Sequence, residues 1–322
     1  MALYPDGMKI LITGGGGFIG SRLALSLKAR DPKAQITLLD MAFPPGLETQ
    51  FTCVAGDVAA PKVIAKAMGS DTDAIFHLAA VVSGGAEADF DLGYHVNLDG
   101  TRALLEAARK LAKPPRFVYA SSVAAFGGEL PDVLDDSTTP APQTSYGTQK
   151  VIGEYLVADF TRKGFVDGRS MRLPTIVVRP GKPNLAASSF ASGIIREPLA
   201  GVEAVCPVPA TTGVWLLSPR RVVEAFVHAH DLDSAEWPTT RVVNLPGTTL
   251  SVREMIDAMG RVAGAEAMKR VKFRPDARIQ AIVETWPVRF RTERAAAMGF
   301  KADGDFESIV RDHVANEKAA AR

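Results

Sequence analysis

Cysteine is nearly absent: the 322 residues contain two, Cys53 and Cys206, far apart and outside any C-x-x-C pair. That excludes a disulfide-stapled scaffold and a thiol redox pair, and leaves the two thiols as small apolar residues of a reducing compartment. An excess of either charge is absent too. Lys and Arg number 37 against 36 for Asp and Glu, a formal charge of +1, so no global field draws a polyanion and nucleic acid is not expected as a partner. Long apolar runs are missing. The N-terminal MALYPDGMKILITGG has an apolar stretch of strand length and no small-residue cleavage site, so neither a signal peptide nor a membrane span is expected, and the chain reads as cytoplasmic. Metal-ligand clusters are missing as well: His228 and His230 stand two apart on a predicted helix and face different directions. No internal repeat or low-complexity linker occurs.

What is present is ordinary for a globular protein, 47% hydrophobic and 23% charged residues, with enough length for a large core. The first half alternates short β-branched runs with helical patterns. Strands are expected at Lys9–Thr13, Gln35–Asp40, Phe51–Ala55, Ala74–His77, Arg116–Ser121 and Thr175–Val178, with helices notably at Phe18–Arg30 and Tyr94–Ala112. Such alternation calls for an α/β fold, a Rossmann-type doubly wound parallel sheet covered on both faces. Beyond Arg179 prolines cluster and strands shorten. The expected division is a dinucleotide-binding domain over 1–178 and a smaller substrate domain over 179–322, with residues near 219–246 returning to the large domain. A helix from Pro219 to Leu232, a strand at Arg241–Leu245, a capping box of Ser251 with Glu254 opening a helix through Val262, and a charged amphipathic surface helix over Phe306–Ala321 complete the reading.

Residues 10–20 read ILITGGGGFIG, with Gly14, Gly17 and Gly20 three apart between a strand and a helix. The first glycine permits the turn, the second lets backbone N–H groups approach a pyrophosphate, and the third lets helix and strand pack closely. Phe18 and Ile19, in the same helix start, join the expected cofactor contacts, because the N-terminal turn presents unsatisfied N–H groups to the phosphates. Asp40 ends the second strand, where its carboxylate accepts from a ribose 2′-hydroxyl and repels a 2′-phosphate; this favours NAD over NADP. Asp57, with Val58 beside it, is an acceptor for the adenine amino group, the alternative being a simple turn aspartate. Leu78, Ala79 and Ala80 follow the fourth strand and let a backbone lie against the cofactor, while His77 reads as a packing residue.

Tyr146-Gly-Thr-Gln-Lys150 places two side chains on one helix face. A tyrosine of ordinary pKa, about 10, is a poor base at neutral pH. A lysine ammonium one turn away stabilises the phenolate, and a serine at the end of the fifth strand can hold a substrate hydroxyl against it. A surface pair is the alternative for Tyr146 and Lys150 taken alone.

Taken together, TGGGGFIG, Asp40, Gly56-Asp57, HLAA, Asn97, SSVAAFG and PAPQTSYGTQK resemble the extended short-chain dehydrogenase/reductases, the NAD-dependent epimerase/dehydratase type. The resemblance implies a Ser122, Tyr146, Lys150 triad, with Lys150 also on the nicotinamide ribose, Asn97 near the active site bonding backbone, and pairing of two copies through helices. Ser122 is preferred to Ser121 by its distance to Gly127. The second half departs from the sugar-nucleotide enzymes: VVRPGKPNLAASSFASGIIREPLAG through HAHDL is similar to a branch that oxidises a small sugar acid. A carboxylate substrate directs attention to Lys182, Ser188, Ser189, Ser192 and Arg220, with Arg220 the leading partner for the carboxylate and Lys182 second; Arg179 reads as structural. A nucleotide-sugar epimerase or dehydratase, and a non-catalytic NAD-binding regulator, are the alternative functions.

Overall fold

A computed structural model describes residues 7–181 and 187–320 of the chain. Two compact units divide it, the first joining Met1–Ala125, Thr144–Arg172 and Val223–Val243, the second joining Phe126–Gln143, Leu173–Val222 and Asn244–Arg322.

The first unit is built on β1 (Lys9–Thr13), β2 (Gln35–Asp40), β3 (Thr52–Ala55), β4 (Ala74–His77), β5 (Arg116–Ser122) and β6 (Asp167–Leu173). With Val242–Asn244 at one edge, the seven-stranded sheet runs Val242–Asn244, β6, β5, β4, β1, β2, β3. Strands β3, β2, β1, β4 and β5 pair in parallel. The order reverses between β1 and β4, and ligands of open α/β sheets bind beyond the strand carboxyl ends at that switch point. The central strands are buried on both faces, so β1 and β4 are nearly continuous apolar runs. Helix α1 (Phe18–Arg30) buries Gly20, Leu23, Ala24 and Leu27, the i, i+3, i+4, i+7 stripe of an amphipathic helix. The helix expected at Tyr94–Ala112 opens as one π-helical segment, Tyr94–Asp99, before an α-helix over Gly100–Ala108.

One expected strand is corrected. The sixth strand of the large sheet is Asp167–Leu173, not Thr175–Val178, of which Thr175–Ile176 instead pairs with Gly213–Leu217 in a three-stranded sheet. DGRSMRL does not look like a buried strand because it carries Arg169 and Arg172, yet both are buried. Arg169 donates to the carbonyls of Ala229 (2.5 Å) and His230 (2.6 Å) and pairs with Asp167, and Arg116 also donates to the His230 carbonyl at 2.9 Å. The last carbonyls of the Pro219–Asp231 helix therefore find cations, the charge that the negative end of a helix dipole favours.

The second unit packs Val177, Val178, Ile194, Ile195, Val214, Leu216, Met255, Met259, Ile309 and Val310 into its own core. Its helices include Ser189–Leu199 and Val252–Ala263, the latter opened by the reciprocal box of Ser251 and Glu254. The tail helix, Phe306–Ala320, buries Phe306, Ile309 and Val310, so one face is a core element of this unit rather than solvent-facing surface. No helix of the described residues is long and apolar enough to cross a membrane.

Candidate active site

The carboxyl ends of β1 and β4 meet through glycine. Gly14 has φ +70°, and a Cβ there would lie 2.7 Å from the Ala79 nitrogen and 2.8 Å from the Leu78 carbonyl carbon. A Cβ on Gly20 would overlap the Gly14 carbonyl oxygen at 2.1 Å. The loop thus lies directly against the next strand end and against its own helix. Gly17 caps α1 without a side-chain acceptor, leaving the first-turn N–H groups, Phe18 and Ile19 among them, for an anion. Asp40 accepts from Gly16 N at 3.0 Å and Met41 N at 2.7 Å, which ties the second strand end to the glycine loop. This cradle fits a dinucleotide's pyrophosphate and ribose, with remaining lone pairs on Asp40 available to a hydroxyl.

Asp57 is held by Ala59 N at 2.8 Å and His95 Nε2 at 2.6 Å. Burial alone would raise its pKa, but these two donors hold it below the ordinary carboxylate range, and the same bond raises that of His95. Val58 is buried beside it. Asn97 bonds the backbone of the neighbouring loop. Its Oδ1 accepts from Val81 N at 2.7 Å, and its Nδ2 donates to Val81 O at 3.0 Å and Gln149 Oε1 at 2.7 Å. Both of its N–H donors are engaged by protein, so it fixes the loop of Leu78, Ala79 and Ala80 from behind.

A second clamp holds that loop, and no motif announces it. Thr101 Oγ1 donates to Asn97 O, so it accepts from His77 Nε2 at 2.8 Å; His77 Nδ1 then accepts from Thr13 Oγ1 at 2.6 Å, and Thr13 Oγ1 accepts from Ala79 N. The direction of the first bond sets the imidazole tautomer. Burial, with the Lys150 charge nearby, pushes the His77 pKa down to about 3, so the ring stays neutral and links three segments.

At the end of β5 the strand's two-residue period separates the serines. Tyr119 and Ser121 face the Ser145–Arg162 helix: the Tyr119 ring lies against Gly153, and Ser121 Oγ donates to Glu154 Oε1 at 2.5 Å. Ser121 is therefore sequestered, whereas Ser122, half-buried, accepts from Ala124 N at 3.1 Å and keeps a hydroxyl hydrogen to donate. Thr144 caps the helix by accepting from Gly147 N, and the helix carries Tyr146 and Lys150. Lys150 is 2% exposed. Its Nζ donates to Ala120 O at 2.9 Å and stands 5.5 Å from the centroid of the half-buried Tyr146 ring. Burial lowers its pKa to about 8, against the raising effect of Glu154. Glu154 and Arg172, which the sequence reading passes over, form a buried two-bond pair, Nε to Oε1 at 2.8 Å and Nη2 to Oε2 at 2.7 Å. A glutamate one turn after the lysine of a Tyr-x-x-x-Lys pair is the available signal.

In the second unit, Lys182 lies outside the described residues. Ser189 opens the Ser189–Leu199 helix; Ser188 Oγ accepts from Arg179 Nη2 at 2.7 Å, and Ser192 Oγ accepts from Arg179 N at 3.0 Å. The Arg220 guanidinium, 46% exposed, lies 3.1 Å from Asp312 Oδ2 and 3.6 Å from Asp303 Oδ1, and Arg221 Nε is 4.0 Å from the same Asp303 oxygen. The described residues hold no cluster of three or more His, Cys, Asp or Glu side chains able to hold a metal ion.

The sheet, the switch-point cradle and the Tyr146–Lys150 pair define a Rossmann-type, NAD-using enzyme. The chain belongs to the NAD dependent epimerase/dehydratase family, which it matches over residues 10–237. It is 52% identical over 317 residues to a D-erythronate dehydrogenase of Cupriavidus necator, spanning 95% of this chain and 98% of that one. A D-erythronate dehydrogenase of Haemophilus influenzae is 45% identical over 311 residues, with 95% and 99% covered. Among solved structures, a nucleoside-diphosphate-sugar epimerase from Agrobacterium tumefaciens superposes with a TM-score of 0.91 at 40% identity, covering 99% of this chain and 97% of that one.

Proposed function

We propose that the protein is an NAD-dependent dehydrogenase that oxidises a small sugar acid at C2, D-erythronate to 2-oxo-tetronate. The observation that carries this reading is the buried Lys150 ammonium, anchored on Ala120 O and 5.5 Å from the Tyr146 ring. The full-length identity to two dehydrogenases of that substrate supports the choice of sugar acid.

The glycine loop and the N-terminus of α1 would hold the pyrophosphate, Asp40 the adenosine ribose, Asp57 the adenine amino group and Lys150 the nicotinamide ribose. NAD, when bound, supplies the hydride acceptor. Tyr146, as phenolate, takes the proton of the C2 hydroxyl. Ser122 Oγ hydrogen-bonds the same oxygen and holds it in line with the phenol. Lys150 keeps its positive charge beside the phenolate, which favours the ionised form. The C2 carbon loses a hydride and its hydroxyl a proton, leaving the 2-oxo acid, NADH and a proton on Tyr146. Arg220, with Lys182 second, is the cation for the substrate carboxylate, and Ser189 adds a hydroxyl donor. The enzyme works in the cytoplasm, a setting that suits its unpaired Cys53 and Cys206.

The test is a panel of four- to six-carbon sugar acids with NAD, followed at the NADH absorbance. Net NADH formation with D-erythronate is expected. A product isomeric with the substrate and no net reduction would instead support an epimerase, which returns its cofactor unchanged.

A further inference from the structure

Three consecutive residues at the end of β5 serve three different partners. The Ala120 carbonyl accepts from Lys150 Nζ at 2.9 Å, Ser121 Oγ donates to Glu154 Oε1 at 2.5 Å, and Ser122 retains a donor for substrate. Glu154 stands four residues after Lys150 on the same helix and so on the same face. Arg172, from β6, clasps both of its oxygens, and the two side chains are 4% and 10% exposed. A buried ion pair of this kind often stabilises a fold no better than an apolar pair of equal volume. Its position beside a buried lysine gives it another use.

We propose that Glu154 is a positioning residue for Lys150: its carboxylate, fixed by Arg172 and Ser121, keeps the buried ammonium charged and seated on the Ala120 carbonyl. This rests on the reading of Lys150 as the partner of the Tyr146 phenolate. Burial takes solvent from Lys150 and favours its neutral form, while Glu154 opposes that drift. The other groups facing the ammonium cannot replace it. From its own helix comes Tyr146, and from β5 the Tyr119 ring at 5.0 Å, whose hydroxyl is held protonated because burial, Glu154 and Tyr146 all raise its pKa. From β4 comes His77, neutral at working pH, and from β6 Arg172, a cation that is itself held by Glu154. Without the carboxylate the ammonium deprotonates at lower pH, the phenolate loses its partner, and the alkaline limb of the rate profile moves down.

The experiment uses the full chain with Glu154→Gln and Arg172→Gln together. Two amides can bond each other and still accept from Ser121, so both charges go without leaving a lone buried ion. Thermal midpoint, NADH binding and kcat/KM from pH 6 to 10 are measured, and the lysines are labelled with 13C at Cε so that Lys150 is titrated directly, its resonance assigned by Lys150→Met. The expected result is a cooperatively folded protein in which the Lys150 titration and the alkaline limb both fall, by up to about one pH unit because the Arg172 cation leaves together with the counter-charge. The ratio of kcat/KM at pH 7 to that at pH 9 rises accordingly, about tenfold per unit. A folded variant with the Lys150 titration unmoved overturns the proposal and leaves the pair structural. If the double variant does not fold, Glu154→Asp decides: it keeps the charge and the Arg172 partner but withdraws the carboxylate by one methylene, and a downward shift of the Lys150 titration supports the proposal while an unmoved one overturns it. The reading beneath it fails separately, by near-normal turnover of Tyr146→Phe, which leaves the Lys150 titration as a result about the lysine alone.

Discussion

Two junctions of the first unit's sheet are built from opposite materials. Where β1 meets β4, the site is backbone: Gly14 within 2.7 Å of the Ala79 nitrogen once a Cβ is added, a helix start without a side-chain cap, and peptide N–H groups bonded to Asp40. Where β5 meets β6, the site is buried side-chain charge: Lys150 on a carbonyl, and Glu154 between Ser121 and Arg172. A site made of backbone needs residues without side chains, whereas a site made of buried charge needs every ion to meet its partner. The first tolerates no added atom and the second no missing one.

Substitutions sharpen that contrast. The largest loss of stability is expected from Arg172→Met alone, which strands the Glu154 carboxylate in the core and costs about 3–5 kcal/mol; urea unfolding checks it, and a cost below about 1 kcal/mol would mean that the pair is effectively solvated. Next comes Gly14→Ala. The left-handed backbone adds about 1–2 kcal/mol, the forced overlap with the Ala79 backbone about 1–3 kcal/mol, and NADH affinity should fall with them. Retained affinity at full stability would place the cofactor away from this loop.

Acid sensitivity is a smaller effect with a defined sign. The His77 pKa is near 3 in the folded protein against an ordinary 6.5, so the unfolded chain takes up a proton that the folded one refuses. Stability is then complete above pH 6.5 and declines as pH falls toward 3, by up to about 1.4 kcal/mol per unit and about 2 kcal/mol by pH 5. His230, lowered chiefly by burial, acts in the same direction. A urea midpoint that stays flat from pH 7 to 5 would contradict the buried neutral ring. Smaller still, Asp40→Ala is expected to narrow the preference for NAD over NADP by about tenfold, equivalent to about 1.4 kcal/mol. Equal efficiencies in the unmodified enzyme would show that this carboxylate does not meet the ribose.

The same contrast explains what can be read from sequence. Gly14, Gly17 and Gly20 stand out because close backbone approach leaves no substitute for glycine, and their spacing between a strand and a helix is enough to mark the cradle. Tyr146 and Lys150 are legible from helical spacing. Arg169, Arg172, Glu154 and Ser121 are not, since charged residues belong by default to surfaces, and their pairing depends on neighbours from separate segments. For that reason sequence patterning puts the sixth strand at the apolar Thr175–Val178, while the charged Asp167–Leu173 takes the place. The ion pairs of Arg220 are illegible for the same reason: its partners, Asp303 and Asp312, lie far along the chain, in segments that no local pattern connects to it.

The central claim is that Tyr146 is the base of an NAD-dependent oxidation and Lys150 its buried partner. The most direct test is kcat of Tyr146→Phe with D-erythronate and NAD, measured beside the NADH dissociation constant of the same variant. Loss of turnover by roughly 10²–10⁴ is expected, the usual weight of a general base, with NADH binding nearly unchanged because the ring and Lys150 remain. Turnover within a few-fold of the unmodified enzyme would contradict the account.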